Sequence, residues 1–239
     1  MFDVLVFASL PAIGIIIGSL LAECIHTPRW LIGASLHMTA GIAIALVSIN
    51  IVPMVLETTP MWLIVTAFLI GACVSVMIVS LWGAFRVRNQ THSVGAWMVG
   101  LAVVTDLVSD GLMVGAGTAV GLQLGFLFAA TQTIANIPGG FAITANFRDD
   151  GLSRVFRLGL PAFMLLPAIV SATIGYYGLR GAESVVHGAV LAVFVGILLL
   201  ATVEDVIPQG DESQPPRLVS TLAFAIGFSG LALLSNVLG

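Results

Sequence analysis

Thr105-Asp106-Leu107-Val108-Ser109-Asp110-Gly111 sets two carboxylates four residues apart inside a long apolar stretch. Positions i and i+4 share one face of a helix, one turn apart. On a membrane-spanning helix, each ionised carboxylate costs about 2.5–3.5 kcal/mol at the bilayer centre on insertion scales. Two such groups side by side also repel, so the pair shares a proton or a cation. The rest of the chain reads as the scaffold that makes this pair tolerable and useful.

The composition supports a membrane setting. Of 239 residues, 59% are hydrophobic and only 8% are charged, whereas a soluble domain carries about 25% charged residues. Lysine is absent, and all eight basic residues are arginine. No strongly basic or acidic tail points to nucleic acid. Cys24 and Cys73 have no motif partners and read as free thiols. No Lys or Arg precedes the first apolar run, so that run reads as a spanning helix and not as a signal peptide.

A span needs about 20 apolar residues. Eight candidates follow, at approximately 4–22, 31–56, 61–85, 94–118, 121–145, 155–177, 184–206 and 218–237. The expectation is an all-α membrane protein with one transmembrane domain over residues 1–239. The short connections leave no water-soluble catalytic module, so no enzyme is expected. One set of connections holds Arg29, Arg86, Arg88, Arg148, Arg154, Arg157 and Arg217, while the opposite set holds only Arg180. The Arg-rich side is expected in the cytoplasm, with both termini outside. The absence of lysine beside abundant Ala, Gly, Val and Leu hints at a GC-rich bacterial genome, and so at a bacterial cytoplasmic membrane.

Polar residues inside the spans are few. The second span carries His37, Asn50 and Glu57. The fourth carries the aspartate pair. The fifth carries Gln132 and Asn136, again at i and i+4, followed by Pro138-Gly139-Gly140. The seventh carries His187 and Glu204-Asp205. The chemistry is therefore expected among spans two, four, five and seven. Polar glue between membrane helices is normally Ser, Thr, Asn or Gln, which carry no ionisation cost, so Asp106 and Asp110 read as an ion or proton site. A protonated, hydrogen-bonded pair is the structural alternative. Gln132 and Asn136 read either as interhelical glue or as further ligands. Pro138 has no N–H, which frees the Ile134 carbonyl as a possible oxygen ligand. Gly139 and Gly140 allow close approach of an ion, or equally of another helix. Glu204 and Asp205 read as an exit relay with His37, or as a helix end. His37 by itself reads as a packing histidine. His187 and Glu57 read as interfacial residues, with an entrance at Glu57 and Asn50 as the alternative. Gly14 and Gly18 form a small-xxx-small packing pattern. His92 and Asp149-Asp150 are expected in connections.

Asn50-Ile51-Val52-Pro53 in span two echoes Asp205-Val206-Ile207-Pro208 in span seven, each after an upstream histidine. The two spans run in opposite directions. This predicts a 3+2+3 inverted repeat, a plan common among secondary transporters.

With these residues in place, the whole chain resembles the ZIP (ZRT/IRT-like) family of divalent metal transporters. That family has eight spans, both termini outside, and functional polar residues on spans two, four, five and seven. Its span-four H-N-x-P-E-G pattern aligns with Asp106-Leu107-Val108-Ser109-Asp110-Gly111. Its span-five pattern, with a ligand, an Asn or acid, and a Pro, aligns with Ala135-Asn136-Ile137-Pro138-Gly139-Gly140. Its span-seven E-x-x-P-E aligns with Asp205-Val206-Ile207-Pro208-Gln209, and its span-two H-x-x-A-G with His37-Met38-Thr39-Ala40-Gly41. The departures reduce the family's two-metal site. Asp106 stands for the histidine and Leu107 for the asparagine, while Ala135 and Gly139 stand at ligand positions and Leu166 precedes Pro167. What the resemblance leaves is one oxygen-only site of Asp106, Asp110 and Asn136, with Gln132 nearby.

The resemblance implies uptake of a divalent metal, Zn²⁺ or another transition metal such as Mn²⁺ or Fe²⁺, into the cytoplasm. The metal would be cargo, and no prosthetic group is expected. It also implies a homodimer in a lipid bilayer. An all-oxygen site suits harder ions better than Zn²⁺. Transport of protons or a small polar solute is the alternative. An intramembrane aspartyl enzyme using Asp110 and Asp205 would call for Tyr-Asp and Gly-x-Gly-Asp patterns, which the sequence lacks.

Overall fold

The computed structural model describes residues 1–24, 28–88, 92–149 and 151–238, with the side chains of 29, 79, 82–103, 105, 142, 146, 149 and 237–238 left aside. Among the described residues there are helices and no strands. They are α1 (Phe2–Cys24), α2 (Arg29–Ala45), a π-helical segment (Leu46–Ile51), α3 (Val52–Thr58), α4 (Met61–Arg88), α5 (His92–Val120) and α6 (Leu122–Asp149). Then come α7 (Arg154–Phe163), α8 (Leu165–Leu179), α9 (Ser184–Ala201), a second π-helical segment (Thr202–Val206), α10 (Ile207–Glu212) and α11 (Arg217–Leu238).

Among the described residues, seven helical stretches are long and apolar enough to cross a membrane. They are Phe2–Cys24, Trp30–Thr58, Met61–Ile78, Leu122–Ala145, Arg154–Leu179, Ser184–Glu212 and Arg217–Asn236. The described residues are thus all-helical, with helices of the length and apolarity of membrane spans. The expected span at 94–118 falls on α5, where the side chains up to residue 103 and that of 105 lie outside the described residues. His92 and Asp149 were expected in connections but are terminal residues of α5 and α6, while Asp150 lies outside the described residues. Both cysteines are free.

The chain divides into two compact units. The first is Met1–Thr27 with Leu81–Gly178, and the second is Pro28–Ser80 with Leu179–Gly239. In the first unit, glycines let backbones touch. A Cβ on Gly14 or Gly18 of α1 would collide with the Thr133 or Ile137 carbonyl of α6, and one on Gly140 would collide with the Ile15 carbonyl. The expected packing role of Gly14 and Gly18 therefore holds, and Gly140 shares it. Ser19 Oγ adds a bond to the Gly140 carbonyl at 3.2 Å. Gly111 and Gly115 bring α5 onto the backbone of α8 at Ala168 and Ala172. Lipid tails are as apolar as these helices, so such close packing holds them together better than apolar burial does. Ile15, Leu107, Ile143, Phe147, Met164 and Ala168 fill the centre of this unit.

In the second unit, α2 lies against α11 through Gly41 and Gly227, and α4 against α9 through Gly71 and Gly196. Each π-helical segment ends just before a Val52-Pro53 or Ile207-Pro208 pair at the start of the next helix. Neither proline can donate to the carbonyl four residues back, and a widened turn absorbs the lost bond. The two echoing sequence segments thus share one local structure. Proline acts differently in the span at 155–177, which breaks at Met164 into α7 and α8. Pro167 there leaves the Phe163 carbonyl without its helical donor.

Gly18→Val should destabilise the chain by about 1–3 kcal/mol through overpacking against α6. Gly139 has nothing within 4 Å of a built Cβ, so Gly139→Ala should stay within about 0.5 kcal/mol of native. Denaturant titration of the detergent-solubilised chain measures both.

Candidate functional site

Asp110 and Asn136 form the centre of the site. A single residue, Gly121, joins α5 to α6, so the two helices lie side by side as a hairpin, and their packing brings Asp110 and Asn136 together. Asn136 Nδ2 donates to Asp110 Oδ2 at 2.7 Å. Asp110 is 4% exposed and Asn136 5%. A third helix closes the site, because Nδ2 also lies 3.5 Å from the Pro11 carbonyl of α1, a long contact. Pro11 itself is buried.

The other expected members sit around this pair unevenly. Asp106 is exposed, although it lies one turn from Asp110. Four residues make slightly more than one turn, so i and i+4 differ by about 40° around the helix. Asp110 turns toward α6, and Asp106, about 40° round the helix from it, is the exposed member of the pair. Gln132 is buried, but its Nε2 donates to the Met113 sulfur at 3.7 Å and not to an aspartate. Helix α6 runs unbroken through Pro138. The Ile134 side chain is 42% exposed, on a different face from Asn136.

The remaining candidates belong to the second unit. Glu57, Glu204 and Asp205 are exposed. Asp205 Oδ1 accepts from Gln209 Nε2 at 2.8 Å. Asn50 Nδ2 donates to Ser235 Oγ at 2.5 Å, and its Oδ1 is buried with no partner. His37 reads in the sequence as a relay partner of Glu204 and Asp205 or as a packing histidine, and its contacts suit the second role. Its Nδ1 meets the Gly33 carbonyl at 2.8 Å, and its Nε2 lies 3.2 Å from Asp211 Oδ1. The sequence reading passed over Asp211, whose one signal was an acid at the end of the same span. His187 Nε2 bonds the Leu179 carbonyl at 2.8 Å, a structural role.

The sequence reading also missed a charged clamp on α1. Glu23 Oε1 accepts from Arg157 Nε at 2.6 Å, and its Oε2 lies 3.5 Å from Arg154 Nε. Arg157 Nη1 reaches the Leu152 carbonyl at 2.6 Å, and Arg148 Nη1 reaches the Ala22 carbonyl at 2.7 Å. The last carbonyls of a helix lack internal donors, so Arg148 caps the end of α1. The clamp fixes α1 on α6 and α7, and so helps to hold Pro11 beside Asn136. The arginines had served only to assign orientation.

Among the described residues, no group of three or more His, Cys, Asp or Glu side chains is placed to hold a metal ion. The first unit offers two carboxyls and an amide, a small oxygen set of the kind hard cations accept. No protein-family model matches the chain, and no curated protein matches it.

Asn136→Leu strips the donor from a buried carboxyl and should cost about 1–3 kcal/mol in cation-free buffer. Asp110→Leu/Asn136→Leu together should recover most of that loss, because removing both partners leaves no orphan. Gln132→Leu should stay within about 1 kcal/mol, since its acceptor is only a thioether. Unfolding midpoints of the four chains test the series.

Proposed function

We propose that the chain moves a divalent metal cation across the membrane into the cytoplasm by alternating access. One observation carries this reading: a carboxyl buried deep in a membrane helix, Asp110, is met by a polar side chain of the neighbouring helix and has a second carboxyl, Asp106, one turn away. Buried acids of this kind mark ion or proton pathways. In this reading Asp106 and Asp110 bind the ion, and Asn136 joins them once its amide turns to offer Oδ1. Gln132 remains one turn off. Glu204 and Asp205, exposed in the second unit, receive the ion at the cytoplasmic mouth. Glu57 and Asn50 stand at the entrance. His37 is engaged by Gly33 and Asp211, so the relay runs without it.

The ZIP resemblance belongs to this proposal, with its eight spans, outside termini, inner-membrane location and homodimer. So does the 3+2+3 inverted repeat, which the matching π turns before Pro53 and Pro208 support. The oxygen-only donors favour Mn²⁺ or Fe²⁺ over Zn²⁺. A second reading, transport of protons or another solute, draws on the amide that already partners Asp110.

The two readings part in liposomes containing the purified chain. The metal reading expects uptake of Mn²⁺, Fe²⁺ or Zn²⁺ that falls about tenfold or more in Asp106→Ala and Asp110→Ala, the size expected when a charged partner of a buried ion is lost. Uptake should also fall as pH is lowered, because protons compete for the carboxylates. Flux indifferent to both substitutions, with no thermal stabilisation at saturating metal, removes the metal reading and leaves the second.

A further inference from the structure

Asn136 turns its amino group, and not its oxygen, toward Asp110. Its Nδ2 lies 2.7 Å from Asp110 Oδ2 and 3.5 Å from the Pro11 carbonyl. A backbone carbonyl only accepts hydrogen bonds, so the amide side that faces both oxygens is the NH₂. The three residues come from α6, α5 and α1, and all are buried. An N–H therefore occupies one of the Oδ2 lone pairs that would otherwise be open to a cation.

We infer that Asn136 is a built-in stand-in for the cargo cation, closing its NH₂ on Asp110 when the site is empty and turning Oδ1 inward when an ion binds. The inference rests on the cation reading of this site. The turn is a rotation about the last side-chain torsion, which is broad and roughly two-fold, so the backbone need not move. Its consequence concerns the return step. A carrier delivers net cargo only if its empty form recrosses the membrane, and an empty site with an unsatisfied buried carboxyl resists that step. With Asn136 closed on Asp110, one oxygen of the buried carboxyl keeps a hydrogen-bond donor in the empty site, which lowers the cost of that step. Asn136 thereby sets whether the chain runs as a net importer or only exchanges one ion for another.

The test uses the full chain in liposomes with Mn²⁺ alone as probe. Net Mn²⁺ entry into cation-free vesicles is compared with exchange of labelled Mn²⁺ into Mn²⁺-loaded vesicles. Asn136→Ser keeps a side-chain oxygen and, being too short to reach Oδ2, removes the donor without adding an acid beside Asp110. Exchange should stay within about threefold of native while net entry falls about tenfold, the factor that loss of one buried hydrogen bond carries. If that variant does not purify as a folded protein, Asn136→Thr, also too short to reach Oδ2, carries the same comparison. A native ratio of net entry to exchange in the variant overturns the inference, as does an equal loss of both fluxes, which would make Asn136 a plain ligand. Absence of both fluxes in the native chain removes the cation reading itself, and this inference with it.

Discussion

A carboxyl group inside a bilayer finds no water to bond, and the protein must supply every partner it has. The 2.7 Å bond from Asn136 to Asp110 is this chain's answer. Much of the first unit serves to place those two groups. The Gly121 hairpin sets α5 and α6 side by side, and Gly111, directly after the aspartate, lets α8 close against α5. Gly14 and Gly18 bring α1 near enough for its Pro11 carbonyl to face the same amide. Backbone-to-backbone packing of this kind suits a membrane, where apolar burial gives helices little reason to associate.

The clamp on Glu23 extends that arrangement to the end of α1. Its side chain is only 7% exposed, and each carboxylate oxygen faces an arginine, Arg157 at 2.6 Å and Arg154 at 3.5 Å. Arg154 is itself 70% exposed, so its longer contact is screened and contributes less than the Arg157 bond. Arg148, on the Ala22 carbonyl, ties the same helix end to α6. Residues that set the orientation expectation in the sequence thus have a second use in the fold.

The second unit is built around prolines. Pro53 and Pro208 each remove one helical hydrogen bond, and both helices respond with a π turn carrying the span's polar residues: Asn50 in one, Glu204 and Asp205 in the other. Widened turns often occur at functional positions because they turn side chains off the regular helical register. Asn50 illustrates this, with one amide atom bonded to Ser235 and the other buried without a partner.

Composition and periodicity alone determined that this is a helical membrane protein, roughly where its spans lie, and that the i, i+4 pairs Asp106/Asp110 and Gln132/Asn136 are the polar residues to watch. They also marked Gly14 and Gly18 as packing positions, since small residues four apart form a continuous groove on one helix face. They left undecided which members of the two pairs meet, because four residues overshoot one turn and only packed neighbours decide where that rotation points. Tertiary structure chose Asp110 over Asp106 and Asn136 over Gln132 as partners. It also gave His37 to Asp211 and added Pro11 and Glu23 from a helix with no acid deep in its span. Those contacts join residues distant in sequence, and no local pattern encodes them, because they exist only once the helices have packed.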